Sequence, residues 1–222
     1  MLTIAIPTLG RPTLARCVFS FIEQLEPGDN VLFVADPKGD VDYVRWVYKI
    51  ATNKLGVNWR ISIQGGWGGW GQDQRNHAYN STDEGHIWCL SDDDIATPDA
   101  VKAIRRCANA DTDGWFLFRA GRANATPWVW TRRTVATGNL DADCIVAPAS
   151  TLCRWGLGYE GDIEFARDLL ANHGPPVFME RVIAVTKPDT SYLEEHYRRL
   201  SGFQGLVAHH VEEDPDELDL AY

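Results

Sequence analysis

Short apolar runs alternate with amphipathic stretches from the first residues of the chain onward. Leu2-Thr3-Ile4-Ala5-Ile6-Pro7 is apolar enough to predict a strand buried on both faces. Thr8 to Pro12 is a turn, and Leu14, Cys17, Val18, Phe21, Ile22 and Leu25 recur at helical spacing, predicting a helix over 13–25. Pro27-Gly28-Asp29-Asn30 stops it, and Val31 to Ala35 is a second apolar strand closed by Asp36-Pro37. A helix over 42–55, a strand over 58–64, a helix over 72–80 and an apolar strand starting at Ile87 continue the pattern. Strands that alternate with helices imply parallel pairs joined by right-handed crossovers, so the predicted class is α/β, an open and mostly parallel sheet flanked by helices.

The second half predicts a helix over 98–108, a strand over 114–119 and a strand or hairpin arm at Pro127-Trp128-Val129-Trp130. A strand over 145–148, a helix over 163–172, a strand over 179–185 and a polar helix or ordered coil over 191–200 follow. Open α/β sheets bind ligands outside the carboxyl ends of their strands, which would gather Thr8, Arg11 and Asp36. The strand starting at Ile87 ends in Ser91-Asp92-Asp93-Asp94. Adjacent carboxylates repel one another, and a hard divalent cation such as Mg²⁺ or Mn²⁺ relieves that repulsion. The plainer alternative is a solvated acidic loop before the helix that begins near Pro98.

With 222 residues, 45% hydrophobic and 23% charged, the chain suits one domain, predicted over 1–210. Residues 211–222 are an acidic tail expected to be solvated and frayed. A net charge of −10 disfavours general polyanion binding. Arg105-Arg106, Arg132-Arg133 and Arg198-Arg199 are the compact basic pairs. The five cysteines are odd in number and show no C-x-x-C spacing, which argues against a zinc site or a disulfide framework and for a reducing, cytoplasmic setting. No apolar stretch is long enough for a membrane span, and no charged leader precedes the first strand. Gly65 to Gly71 contains the spacing G-x-G-x-x-G, yet Trp67 and Trp70 stand where a pyrophosphate would lie. The stretch reads as an aromatic-bearing loop beside a ligand, or as a turn whose tryptophans pack on the core.

Several features fall in one order: the strand Ile4-Ala5-Ile6-Pro7-Thr8, an aspartate closing the second strand, Gln74-Arg75-Asn76 opening a helix, then Ser91-Asp92-Asp93-Asp94. Gly158-Tyr159-Glu160-Gly161-Asp162-Ile163-Glu164-Phe165 at the start of a late helix completes the set. Over about Met1 to Gly174 this resembles the family 2 type of glycosyltransferases with the GT-A fold. The resemblance implies a GT-A-like, Rossmann-like α/β/α sandwich that transfers a sugar from a nucleotide-diphosphate donor to an acceptor hydroxyl. It implies metal dependence and inversion at the anomeric carbon, while the lack of membrane helices in this sequence points to non-processive action.

Carried over residue by residue, the resemblance implies that Pro7, Thr8, Arg11, Asp36, Arg75, Asn76, Asp92 and Asp93 hold the nucleotide sugar, with Asp36 near the base. Asp94 and Asp92 would hold Mn²⁺ or Mg²⁺, joined by His196 ahead of His209 and His210. Asp162 matches the catalytic base, with Glu160 as its backup, because this chain reads Glu-Gly-Asp where the family commonly has a contiguous Glu-Asp. Out of that context Asp162 reads as a helix N-cap. Trp67, Trp70, Trp128, Asn139 and Trp155 are the acceptor-binding candidates. The chain also departs from the family by lacking Gln-x-x-Arg-Trp after the acidic motif. The acceptor stays open among a glycan, a small molecule and a modified DNA base, and so does the oligomeric state. A nucleotidyltransferase and a non-catalytic nucleotide-sugar or carbohydrate-binding module are the alternative functions.

Overall fold

A computed structural model describes residues 1–52, 56–65, 71–122 and 125–188. Four parallel strands build the first half of its sheet: β1 (Leu2–Thr8), β2 (Asn30–Ala35), β3 (Asn58–Ile63) and β4 (His86–Cys89). Every residue of β1, β2 and β4 is buried, as mostly apolar runs require of strands covered on both faces. Helices α1 (Thr13–Phe21), α2 (Val41–Ala51) and α3 (Gln72–Asn80) connect them. The chain steps from β1 outward to β2 and β3, then returns to place β4 on the other side of β1. That reversal opens a crevice at the carboxyl ends of β1 and β4, where ligands of open α/β sheets bind.

Helix α1 buries Leu14, Cys17, Val18 and Phe21, the stripe its spacing predicts, but it tightens into a 3₁₀ turn at Ile22–Gln24. Gln24 explains the early stop. Its side chain donates to the carbonyls of Ser20 and Thr97 and accepts from the Val101 N–H, stitching this end to the start of α4 (Ala100–Ala110).

The second half is mixed. β5 (Ile95–Ala96), β6 (Phe116–Arg122), β7 (Ala125–Val129), β8 (Ile145–Pro148) and β9 (Val177–Thr186) extend the sheet in the order β3-β2-β1-β4-β8-β6-β9-β5, with β7 as a hairpin arm on β6. β8 runs antiparallel to both β4 and β6, and β9 runs parallel to β6. β5, two residues long, escapes prediction because it is defined by antiparallel pairing with the distant β9. Helix α5 (Gly161–His173) packs Ile163, Phe165, Ala166 and Leu169 into a core with Tyr79, Trp115, Trp130 and Trp155. The structure therefore has the predicted α/β class with a mixed, mostly parallel sheet.

Met1–Lys187 forms one compact unit. The boundary expected near 210, the acidic tail and the element expected over 191–200 lie outside the described residues. Among the described residues no helix is long and apolar enough to cross a membrane.

Candidate active site

The carboxyl ends of β1 and β4 meet through Asp92. Its carboxylate, 4% exposed, accepts from the Thr8 hydroxyl at 2.7 Å, the Leu9 N–H at 3.2 Å and Arg11 at 3.2 Å. The Thr8 hydroxyl in turn accepts from the Gly10 N–H at 2.8 Å. Burial raises the Asp92 pKa, and the Thr8 and Arg11 contacts oppose that rise. Arg11 also reaches Asp93 at 3.2 Å, and the Lys187 ammonium stands 4.0 Å from the same carboxylate. Thr8, Arg11, Asp92 and Asp93 are thus one assembly, with the half-exposed Arg11 on its rim.

Asp94 points into a different environment. It is 5% exposed, accepts the Lys187 N–H at 2.7 Å and stands beside the carboxyl group of Asp143. Asp143, fully buried at the 3₁₀ turn Ala142–Cys144 before β8, accepts from the Ser91 N–H and hydroxyl, both at 3.1 Å. Its Oδ2 is buried without a hydrogen-bond partner. Burial, with repulsion from Asp93, pushes the Asp94 pKa up to about 6, and burial together with Asp94 pushes Asp143 well above the usual carboxylate range. Arg75, 6% exposed, donates to the Ser91 hydroxyl at 3.1 Å and lies 5.2 Å from the centre of the Trp155 ring. Gly71 precedes α3 with φ of 77°, and a Cβ there would press on Pro7 and Arg75.

Asp36, at the end of β2, accepts the Gln74 amide on one oxygen and the Lys38 N–H on the other. Asp162 lies in the first turn of α5, half-buried, and accepts the Ile163 N–H at 2.8 Å. Burial and the charge of Asp141 raise its pKa, while Arg75 acts in the other direction. Asp141 also acts on Asp94 and Asp143, so the acidic strand end and the α5 start share one electrostatic environment. Glu160 is exposed at the N-cap position. Gly161 separates the two because a Cβ there would run into the Gly156 carbonyl oxygen. That close approach accounts for the interrupted Glu-Asp pair.

Three expected ligand groups are occupied by the fold itself. Asn76 holds the Trp155 backbone with both ends of its amide, at 2.7 and 3.0 Å. Asn139 likewise clamps its own loop, accepting from the Thr131 and Arg132 N–H groups and donating to the Arg132 and Thr134 carbonyls. Trp155 is 3% exposed and stacked on Phe165 with centroids 4.4 Å apart, so it offers no platform for an acceptor ring. Trp67, Trp70, the Trp128 side chain, His196, His209 and His210 lie outside the described residues. Among the described residues no group of three or more His, Cys, Asp and Glu side chains stands in position to hold a metal ion. Sequence reasoning missed Asp143, Asp141 and Lys187. The available signal for the first two was Asp-Ala-Asp immediately before a buried strand.

No family model and no curated protein matches the sequence. The fold does match solved structures. Staphylococcus aureus TarS, residues 1–349, is 14% identical with a TM-score of 0.67, over 90% of this chain and 64% of that one. The same protein solved with UDP-GlcNAc gives 14% identity and a TM-score of 0.67 over 87% of this chain and 60% of that one. A Bacillus anthracis protein described as a glucose-1-phosphate thymidylyltransferase, in complex with a sucrose, is 12% identical with a TM-score of 0.57, over 91% of this chain and 96% of that one. The chain thus spans less than two thirds of the TarS chains it matches. With its strand order, and with buried carboxylates at the reversal between β1 and β4, the chain has the nucleotide-diphospho-sugar transferase fold.

Proposed function

We propose that the protein is a glycosyltransferase that moves a sugar from a nucleoside-diphosphate donor to an acceptor hydroxyl, inverting the anomeric centre. The observation that carries this reading is the pairing of two acidic places: the strand-end turn Asp92–Asp94 and, across Asp141, the half-buried Asp162. The nucleoside diphosphate lies over the ends of β1 and β4, with Asp36 and Gln74 toward the base and Arg11 and Lys187 at the phosphates. UDP is the first nucleotide to try, because TarS, of like fold, is solved with UDP-GlcNAc and with UDP.

Asp162 accepts the proton of the acceptor hydroxyl as that oxygen attacks from the face opposite the leaving diphosphate. Its raised pKa suits this task, since a base works best when its pKa approaches the working pH. Glu160, exposed two residues earlier at the N-cap position, is the weaker candidate. Asp94 fits a hard divalent cation better than Asp92, whose oxygens are held by Thr8, Leu9 and Arg11. Bound Mn²⁺ or Mg²⁺ would supply positive charge to the departing diphosphate.

The similarity to a thymidylyltransferase favours one second reading, nucleotidyl transfer onto a sugar phosphate. Against it, the turn from Leu9 to Pro12 offers a single cation, Arg11, already paired with Asp92 and Asp93. Product analysis separates the two. Incubation with a nucleotide sugar and an acceptor alcohol should release nucleoside diphosphate, and Asp162→Asn should slow that release by about 10² to 10⁴ while nucleotide binding persists. Release of pyrophosphate from a nucleoside triphosphate and a sugar 1-phosphate would establish the second reading instead.

A further inference from the structure

We propose that Asp143 is the second protein ligand of the divalent cation, so that Asp94, from the turn after β4, and Asp143, from the 3₁₀ turn before β8, hold the ion between them. The inference rests on the donor-site reading above and adds to it a residue outside the acidic run. Two carboxyl groups, one fully buried and the other 5% exposed, stand close enough to act on each other. The Asp143 Oδ2 has no hydrogen-bond partner, although an unpaired buried carboxylate oxygen is costly. The other oxygen, Oδ1, is fixed by the Ser91 N–H and hydroxyl, and Ser91 is fixed by Arg75. One oxygen anchored by Ser91 and the other buried without a partner, beside a second carboxyl group, is an arrangement that a divalent cation would complete.

Among the described residues, Arg75 acts on Asp143 by its charge and donates to the Ser91 hydroxyl. Arg11 pairs with Asp92 and Asp93, and the Lys187 ammonium stands by Asp93, while only the Lys187 backbone N–H reaches Asp94. Two carboxylates without a third side chain suit a cation that takes its remaining ligands from water and from substrate phosphates, the usual habit of Mg²⁺ and its analogue Mn²⁺. This also accords with the absence, among the described residues, of any three-residue metal cluster.

The test uses the full chain and Mn²⁺ alone, with bound ion read from the loss of the free-ion electron paramagnetic resonance signal. Asp143→Asn and Asp94→Asn should each weaken Mn²⁺ binding by at least tenfold to a hundredfold. Ser91→Ala, which removes an anchor but no ligand, should bind Mn²⁺ within a few-fold of wild type. Anomalous diffraction from Mn²⁺-soaked wild-type crystals provides a readout independent of whether Asp143→Asn folds, and should place the ion within coordination distance of both carboxylates. Manganese held by Asp94 with Asp92 or Asp93, and unaffected by Asp143→Asn, would overturn the inference and leave the donor-site reading intact. Absence of any Mn²⁺ binding by the wild type would overturn the inference and the metal dependence together.

Discussion

Thr8→Val probes the joint between β1 and the acidic turn. The Thr8 hydroxyl donates to a buried carboxylate at 2.7 Å and accepts the Gly10 N–H at 2.8 Å, so an isosteric methyl removes both bonds. A hydrogen bond to a charged group contributes about 1.5–3 kcal/mol, and an orphaned N–H adds roughly another 1 kcal/mol. Asp92 keeps the Leu9 N–H and Arg11, so a net loss of about 3 kcal/mol is expected, or about 6–12 °C in melting temperature for a chain of this size. Thr8→Ser keeps the hydroxyl and should recover most of it.

The loss should also depend on pH. Burial already raises the folded pKa of Asp92, and Thr8 holds it down by favouring the charged form, so the variant raises it further. A raised folded pKa means stability that is complete at low pH and is lost as pH climbs through that value. The deficit of Thr8→Val relative to Thr8→Ser should therefore be largest at neutral pH and shrink as the carboxyl group protonates. Thermal and urea unfolding at several pH values measure both quantities. A deficit below about 0.5 kcal/mol, unchanged with pH, would refute the assignment of Thr8 as the partner that sustains a charged Asp92.

Asp162→Asn should lower the transfer rate by about 10² to 10⁴ with little change in donor affinity, and it should remove the acid limb of the rate profile, where wild-type activity falls as Asp162 protonates. Unchanged turnover would exclude Asp162 as the base. In EDTA, the stability difference between wild type and Asp94→Asn should fall as pH rises from 5 to 8, because the folded pKa near 6 for Asp94 and the raised value for Asp143 both make ionisation unfavourable. A difference that grows with pH would contradict this. Gly161→Ala should destabilise the protein by about 1–3 kcal/mol through its collision with the Gly156 carbonyl, measured by thermal unfolding. Trp155→Ala should cost about 3–5 kcal/mol as a core deletion, whereas an acceptor platform would lose acceptor affinity at nearly unchanged stability.

The first half of the fold is legible because β1, β2 and β4 are mostly apolar and α1 and α2 carry regular stripes. Periodicity ends where an element is defined by its partner, as β5 is by β9. The site divides in the same way. Thr8, Arg11, Asp92 and Asp93 are found together because strand ends in a parallel sheet converge. Asp143 was not legible: a fully buried carboxyl group is rare, and before a short strand its letters read as a turn. Asn76, Asn139 and Trp155 are groups suited to sugars in type, but the sequence does not show that their side chains satisfy loop backbone and pack in the core.

The most direct test of the account is the melting temperature of the purified protein against a panel of nucleoside diphosphates and nucleotide sugars, each with Mn²⁺ and with EDTA. A ligand at about 100 times its dissociation constant adds about 2.7 kcal/mol, or roughly 5–10 °C here. Such a shift is expected for one nucleotide, larger with Mn²⁺ than with EDTA and lost in Asp94→Ala. No shift with any nucleotide or nucleotide sugar would contradict a donor site at the ends of β1 and β4.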